Sequence, residues 1–236
     1  IIVAAALATE GECIIDNVPK DSDVGTICLI LRNLGVEVWF DSDDKLHVVG
    51  ATLSGYQASY DLVRKMRASF YTAGLLLARL GRAEVPLPGG CAIGSRPVDF
   101  HIRGFQQMGA EINIEHGFMK ANCDQLTGTN FYINRSSVGT TMNLMIAASL
   151  AKGTTVLENS AKEPEIVDLA IFLNAMGAKV RGAGTDVIRI EGVEKLRGIE
   201  YSVIPDRIEA GTYMFATAIT GGDVLIKNVV LEHLRS

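Results

Sequence analysis

The 236-residue sequence has only four cysteines, and no two of them form a close pair. Cys13, Cys28, Cys91 and Cys123 are 15, 63 and 32 residues apart, unlike the spacing of a zinc site or a Cys-x-x-Cys redox site. The simplest interpretation is four free thiols in a reducing compartment, which predicts a cytoplasmic protein.

Long hydrophobic runs with basic flanks are also missing at the start of the chain. The opening run, residues 1–8, has eight apolar residues and no basic segment before it. It is too short to span a membrane and lacks the flank of a signal peptide, so we expect no membrane association. No capping residue precedes it, and we interpret it as a helix already under way in a chain cut at its front end.

Excess positive charge is absent too, since the formal net charge is −5, which argues against a nucleic-acid partner. Residues 61–103 nevertheless carry seven basic and three acidic side chains, so this segment is +4 and the remainder −9. Such a segment suits a small anionic ligand, and a solvated charged face explains it equally well. The four histidines show no metal-ligand spacing; we expect neither a metal nor a cofactor.

An internal repeat of about 70 residues organises the chain. An Ala/Leu-rich helix, a glycine and a β-branched strand recur four times, with glycines 70, 72 and 69 residues apart. A second, amphipathic helix ends three times in Leu-Gly or Met-Gly before a strand, at Gly35, Gly109 and Gly177. A third marker, Leu-x-Gly, precedes helices expected to start at Ser69, Thr141 and Thr212.

The repeat predicts the architecture. Each unit reads helix, strand, helix and two or three strands, so residues 1–203 form one three-unit domain and residues 204–236 begin a second, truncated one. The Ala/Leu-rich helices are apolar nearly all round, which predicts that they are buried at the centre with sheets outside them. We therefore expect Ala5, Leu76, Ile146 and Leu150 to be largely buried.

The segment 85–99, Val-Pro-Leu-Pro-Gly-Gly-Cys-Ala-Ile-Gly-Ser-Arg-Pro-Val-Asp, breaks the repeat. Its prolines and glycines predict a surface loop, and such loops often carry function on a rigid scaffold. A cysteine is usually buried, so Cys91 is unusual here, although composition alone favours the ordinary explanation of a small residue tucked under a turn. We expect Cys91 to be alkylated faster than the other three thiols.

Residues 88–101 resemble the cysteine loop of the UDP-N-acetylglucosamine enolpyruvyl transferases, and shorter likenesses extend over nearly the whole chain. These are residues 17–19, 66–69, 137–139, 163–168 and 205–209. The resemblance implies an α/β (α+β) fold, an inside-out α/β barrel built from three repeats of a βαβαββ-like unit. It also implies transfer of the enolpyruvyl group of phosphoenolpyruvate to UDP-N-acetylglucosamine.

The same resemblance assigns site residues. In the family the matching cysteine is the general acid toward phosphoenolpyruvate and is alkylated by fosfomycin, which makes Cys91 the proton donor. Arg67 is expected to contact the ligand. The uridine end of the nucleotide sugar is expected at Arg96, Pro97, Val98, Asp99 and Phe100, and a second nucleotide-sugar segment at Arg135, Ser136, Ser137 and Val138. Position 135 is often Lys in the family, so the charge is kept.

Several features of the family have no matching position in this chain. They are a Lys-Asn pair that serves phosphoenolpyruvate, an Asp base and further arginines. We therefore expect the chain alone to be inactive. Two alternatives stay open: a shikimate-pathway enolpyruvyl transferase, which shares the repeat but lacks this cysteine loop, and a non-catalytic nucleotide-sugar binder of the same fold.

Overall fold

The computed structural model describes residues 6–63, 66–88 and 97–235. Its helices are α1 (Ser22–Asn33), the single turn α2 (Tyr60–Val63), α3 (Thr72–Leu80), α4 (Asp99–Gln107), α5 (Val138–Ser149), α6 (Pro164–Ala175) and α7 (Arg207–Thr220). Short 3₁₀ turns cover Ala6–Ala8, Gly50–Thr52, Arg67–Tyr71 and Leu231–Leu234.

The described strands are β1 (Glu12–Asp16), β2 (Glu37–Phe40), β3 (Leu46–Val49), β4 (Arg82–Pro86), β5 (Glu111–Glu115), β6 (Phe118–Asn122), β7 (Asn130–Tyr132), β8 (Thr154–Glu158), β9 (Lys179–Arg181), β10 (Val187–Glu191) and β11 (Glu200–Ser202). In the described ranges they form three separate sheets, ordered β11-β1-β3-β2, β4-β6-β5 and β7-β8-β10-β9. Each sheet contains the first strand of one unit and its antiparallel hairpin.

The three units close into a ring through parallel pairings. Strand β7, at the end of the second unit, lies parallel to β8 of the third, and β11, at the end of the third unit, lies parallel to β1 of the first. Between the first and second units, the matching contact is a parallel bridge from Gln57 to Glu84. The prediction of three repeats with sheets on the outside, in place of one continuous sheet, is confirmed.

The repeated glycines end helices as the sequence predicts. Gly35, Gly109 and Gly177 follow α1, α4 and α6 with φ of 86°, 96° and 107°, a left-handed conformation that costs glycine little because it has no Cβ. The predicted helix starts are less accurate. Helical structure begins earlier, at the 3₁₀ turn from Arg67, at Val138 and at Arg207, because Ser137 and Asp206 act as N-caps.

The core lies around α3 and α5, which pack directly against each other. Leu76 and Ile146 are fully buried, which confirms the expectation for these two, while Leu150 is only partly buried and Ala5 lies outside the described residues. Gly74 permits the close approach, since a Cβ there would lie 2.5 Å from Asn143 Oδ1 and 2.6 Å from its carbonyl oxygen. No helix in the described ranges is long and apolar enough to cross a membrane.

Candidate active site at the N-terminal ends of three helical segments

The two predicted nucleotide-sugar segments meet at the N-terminal ends of α4 and α5. Pro97 is exposed and Val98 is buried, while Asp99 and Phe100 are half-buried as they begin α4. Gly104 of α4 packs against α5, because a Cβ there would lie 2.5 Å from the Leu144 methyl groups.

The other segment leads into α5. Arg135 and Ser136 are exposed, and Ser137 and Val138 are half-buried. The Ser137 hydroxyl accepts a hydrogen bond from the Thr140 amide at 3.3 Å and so caps the helix. Unpaired amides at a helix start carry partial positive charge, which makes this end suitable for an anionic group, with Arg135 two residues before the capping Ser137.

The 3₁₀ turn Arg67–Tyr71 brings the third predicted segment to the same place. Its Phe70 ring meets the His101 ring edge-on, with centroids 5.3 Å apart, and the Tyr71 ring lies 6.5 Å from it. A Cβ added at Gly139 would lie 3.0 Å from the Tyr71 hydroxyl oxygen and 3.5 Å from His101 Nε2. The segments around residues 67, 97–100 and 135–138 are therefore neighbours, with His101 between them.

Two of the predicted site residues have no described position. Cys91 and Arg96 lie outside the described residues. Two arginines of the basic segment make contacts within the framework: Arg79 donates to the Thr9 carbonyl at 2.6 Å, and Arg82 lies over the Tyr56 ring at 3.9 Å and donates to Glu84. These two arginines hold the framework together.

The other three thiols fit the expectation that they react slowly. Cys13 and Cys28 are buried, and Cys123 is partly buried. Burial raises the pKa of each of these thiols, most directly by disfavouring the charged thiolate. Since the thiolate is the nucleophile, a raised pKa lowers reactivity at neutral pH.

Sequence reasoning missed a polar cluster beside the site. The Tyr201 hydroxyl donates to Asp168 Oδ1 at 2.6 Å, burial raises the pKa of Asp168, and burial together with that hydrogen bond raises the pKa of Tyr201. Glu165 accepts two hydrogen bonds from Arg207, at 3.0 Å and 2.9 Å, which joins the first turn of α6 to that of α7. A cavity of about 390 Å³ lies between them and is lined by Val18, Pro19, Val24, Met142, Leu169 and residues 203–208.

Asn143 was missed as well. It lies in an otherwise apolar stretch of α5, and its side chain contacts His101, Phe70 and Gly74. The available signal was a single amide among buried Met, Leu and Ile residues, which usually marks a polar group with fixed partners.

Three repeats of helix, strand, helix and hairpin, arranged as a ring of sheets around buried helices, define an inside-out α/β barrel with its candidate site at helix N-terminal ends. The chain belongs to the EPSP synthase (3-phosphoshikimate 1-carboxyvinyltransferase) family, whose model matches residues 1–236. Among curated proteins it is 57% identical over 234 residues to UDP-N-acetylglucosamine 1-carboxyvinyltransferase 2 of Symbiobacterium thermophilum, covering 99% of this chain and 55% of that protein.

A second relative, UDP-N-acetylglucosamine 1-carboxyvinyltransferase of Clostridium botulinum, is 52% identical over 236 residues and covers 100% of this chain and 57% of that protein. The chain thus spans about half the length of these relatives. Among solved structures, the enolpyruvyl transferase NikO from Streptomyces tendae matches with a TM-score of 0.80 at 21% identity, covering 91% of this chain and 51% of that one. EPSP synthase from Acinetobacter baumannii matches at 0.64 and 19% identity, covering 92% and 51%. These structures support the fold alone.

Proposed function

We propose that this chain supplies the cysteine-bearing half of an enzyme that transfers the enolpyruvyl group of phosphoenolpyruvate to the 3-hydroxyl of UDP-N-acetylglucosamine. The observation that carries the proposal is the meeting of segments 97–100 and 135–138 around His101, at two helix starts suited to a diphosphate. Identities of 52% and 57% to carboxyvinyltransferases of that name support the choice of acceptor over shikimate phosphate.

The chemistry assigns one task to each segment. The sugar hydroxyl gives its proton to a base outside this chain and adds to C2 of phosphoenolpyruvate while the Cys91 thiol gives its proton to C3, and loss of a proton from C3 then expels phosphate. Arg67 and Arg96 offer bidentate donors to phosphate or carboxylate groups. Arg96–Phe100 hold the uridine end, and Arg135–Val138 hold the diphosphate. The reaction would serve peptidoglycan synthesis in the cytoplasm, and Cys91 would be the residue that fosfomycin alkylates.

We further propose that residues 204–236 begin a second unit that completes the site. Support comes from α7, whose apolar side chains are exposed: Phe215 is 74% and Ile219 is 83% accessible. A cleft between two such units would bury the substrate and exclude water. The 236-residue chain alone should then bind the nucleotide sugar weakly and release no phosphate.

Titration calorimetry with UDP-N-acetylglucosamine tests the proposal on the wild-type chain and on Arg96→Ala. Losing one charge-assisted hydrogen bond should weaken binding by about 1.5–3 kcal/mol. Arg82→Ala is the matched control, because that arginine stacks on Tyr56 away from the helix starts. Equal binding by wild type and Arg96→Ala would show that the nucleotide segment is misassigned. Phosphate release by the chain alone would show that the second unit is not needed.

A further inference from the structure

The side chain of Asn143 has a full set of buried partners. The Gly74 amide nitrogen lies 3.0 Å from Oδ1, the Phe70 carbonyl oxygen 3.2 Å from Nδ2, and His101 Nδ1 3.0 Å from Nδ2. Asn143 is 0% and His101 5% accessible. The amide therefore links α3, α5 and α4 and the turn that contains Phe70.

Two backbone groups of opposite polarity fix which way this amide points. The Gly74 N–H can only donate, so it must face Oδ1, and the Phe70 carbonyl can only accept, so it must face Nδ2. Exchanging Oδ1 and Nδ2 would place two donors together and two acceptors together in a buried site, at a cost of about 1–3 kcal/mol for each unpaired group. One hydrogen of Nδ2 is used by Phe70, and the other points at His101.

The amide in turn fixes the imidazole. Because Asn143 Nδ2 donates, His101 Nδ1 must accept, and the ring proton is placed on Nε2. The Cε1–Nε2 edge of the ring faces the first turn of α5, since a Cβ at Gly139 would lie 3.5 Å from both atoms. The Nε2 edge of His101 therefore lies against the first turn of α5, next to the helix start at Ser137 and Val138.

We propose that Asn143 is a positioning residue that holds His101 as its Nε2–H tautomer, with that nitrogen at the α5 end of the candidate site. The ligand part of this inference rests on the proposed function, because it assumes that an anionic group of the nucleotide sugar lies at Ser137 and Val138. The tautomer part does not, because it follows from the buried contacts of Asn143 alone.

The chain contains its own reference for the measurement. His47 Nδ1 lies 2.7 Å from Glu12 Oε1 and its Nε2 lies 3.0 Å from Asp41 Oδ2. Both partners are carboxylates that can only accept, so both nitrogens of His47 carry protons when it is charged. The two histidines should therefore give different nitrogen signals in one spectrum.

Long-range proton–nitrogen NMR correlation on the ¹⁵N-labelled 236-residue chain, without ligand, tests the tautomer. We expect His101 to show the Nε2–H pattern and His47 to show two protonated nitrogens below neutral pH. In Asn143→Asp the carboxylate accepts from Nδ1, and the His101 pattern should change to Nδ1–H. A wild-type His101 with its proton on Nδ1 would overturn the proposal, and this reading needs no variant to fold.

Titration with UDP-N-acetylglucosamine tests the consequence for the ligand. Asn143→Asp should weaken binding about tenfold, the scale of one hydrogen bond. Asn174→Asp is the matched control: Asn174 also bridges backbone groups, at Val180, but lies at the far end of α6. Equal weakening in both variants would reject a positioning role. If the wild-type chain binds no nucleotide sugar while its His101 is Nε2–H, the proposed function fails and the tautomer assignment stands.

Discussion

Helices α5 and α7 hold the same place in successive units of the repeat, yet their surroundings are opposite. Both helices are fully described. In α5, ten of twelve residues are buried, and in α7 only Ala210 of fourteen is buried. The exposed side chains of α7 include Ile208, Tyr213 and Met214 in addition to Phe215 and Ile219.

The difference shows that an apolar helix sequence predicts burial of the helix but does not specify which part of the protein covers it. Helix α5 is covered by α3, α4 and α6. Helix α7 is held at its first turn by the Arg207–Glu165 ion pair, Ala210 is buried, and the helix also contacts the 3₁₀ turn Leu231–Leu234. Exposed apolar area of this extent usually marks an interface, which agrees with the proposed second unit.

The strongest test of the difference in burial between α5 and α7 replaces one isoleucine in each helix by alanine. Ile146→Ala should lower the free energy of unfolding by about 2–5 kcal/mol, because it removes buried methyl groups and leaves a cavity. Ile219→Ala, the matched control, should change it by less than about 0.5 kcal/mol. Urea unfolding followed by circular dichroism measures both. Equal losses would mean that α7 is buried in solution, and a loss that grows with protein concentration would identify a second copy as its cover.

Sequence periodicity predicted the units because each depends on local signals: glycines that end helices, and alternation within hairpins. The closure of the ring by β11 on β1 joins residues almost 190 positions apart, such as Ile14 and Glu200, and such pairings have no local signature. The local pattern of the hairpin β9–β10, by contrast, lies within one short stretch of the sequence.

The candidate site, like the fold, could be predicted from the sequence only where the signal is local. The segments that meet around His101 were named from motif resemblance, whereas their meeting depends on how α3, α4 and α5 pack against one another. Asn143 and the pair Glu165–Arg207 act through side-chain contacts between elements. Their partners depend on how the helices pack, which a single sequence does not specify.

A smaller effect should come from the ion pair that anchors α7. Burial raises the pKa of Glu165, but the hydrogen bonds and charge of Arg207 outweigh it and hold that pKa below its usual value. The pair is partly exposed, so Glu165→Gln should lower the opening free energy of the first turn of α7 by only about 0.5–1 kcal/mol. Hydrogen exchange of residues 207–220 measures this.

The lowered pKa of Glu165 determines how the stability of the first turn of α7 changes with pH. The stabilisation is complete above the ordinary range of a glutamate and is lost as pH falls through the lowered pKa of Glu165. Glu191→Gln is the control, since its exposed pair with Lys179 lies on the β9–β10 hairpin. If Glu191→Gln made exchange in α7 faster, or if Glu165→Gln left it unchanged, another contact would hold the helix.

The smallest predicted effect concerns His47, in the three-unit region before α7, and its pH dependence is opposite to that of Glu165. Hydrogen bonds to Asp41 and then Glu12 raise the pKa of His47, against the opposing influence of burial, and Trp39 stacks on its ring at 4.8 Å. A raised histidine pKa contributes stability that is complete below the unfolded value of about 6.5 and is lost as pH rises through the folded one. The midpoint temperature of thermal unfolding should therefore shift slightly downward between about pH 6 and about pH 9 in wild type, and less in His47→Gln.

Over that interval, hydrogen exchange in α7 should stay constant, since Glu165 remains ionised. If both regions responded to pH in the same way, α7 and the three-unit region before it would unfold together. The contrast between α5 and α7 would then hold for their accessibility but not for their stability.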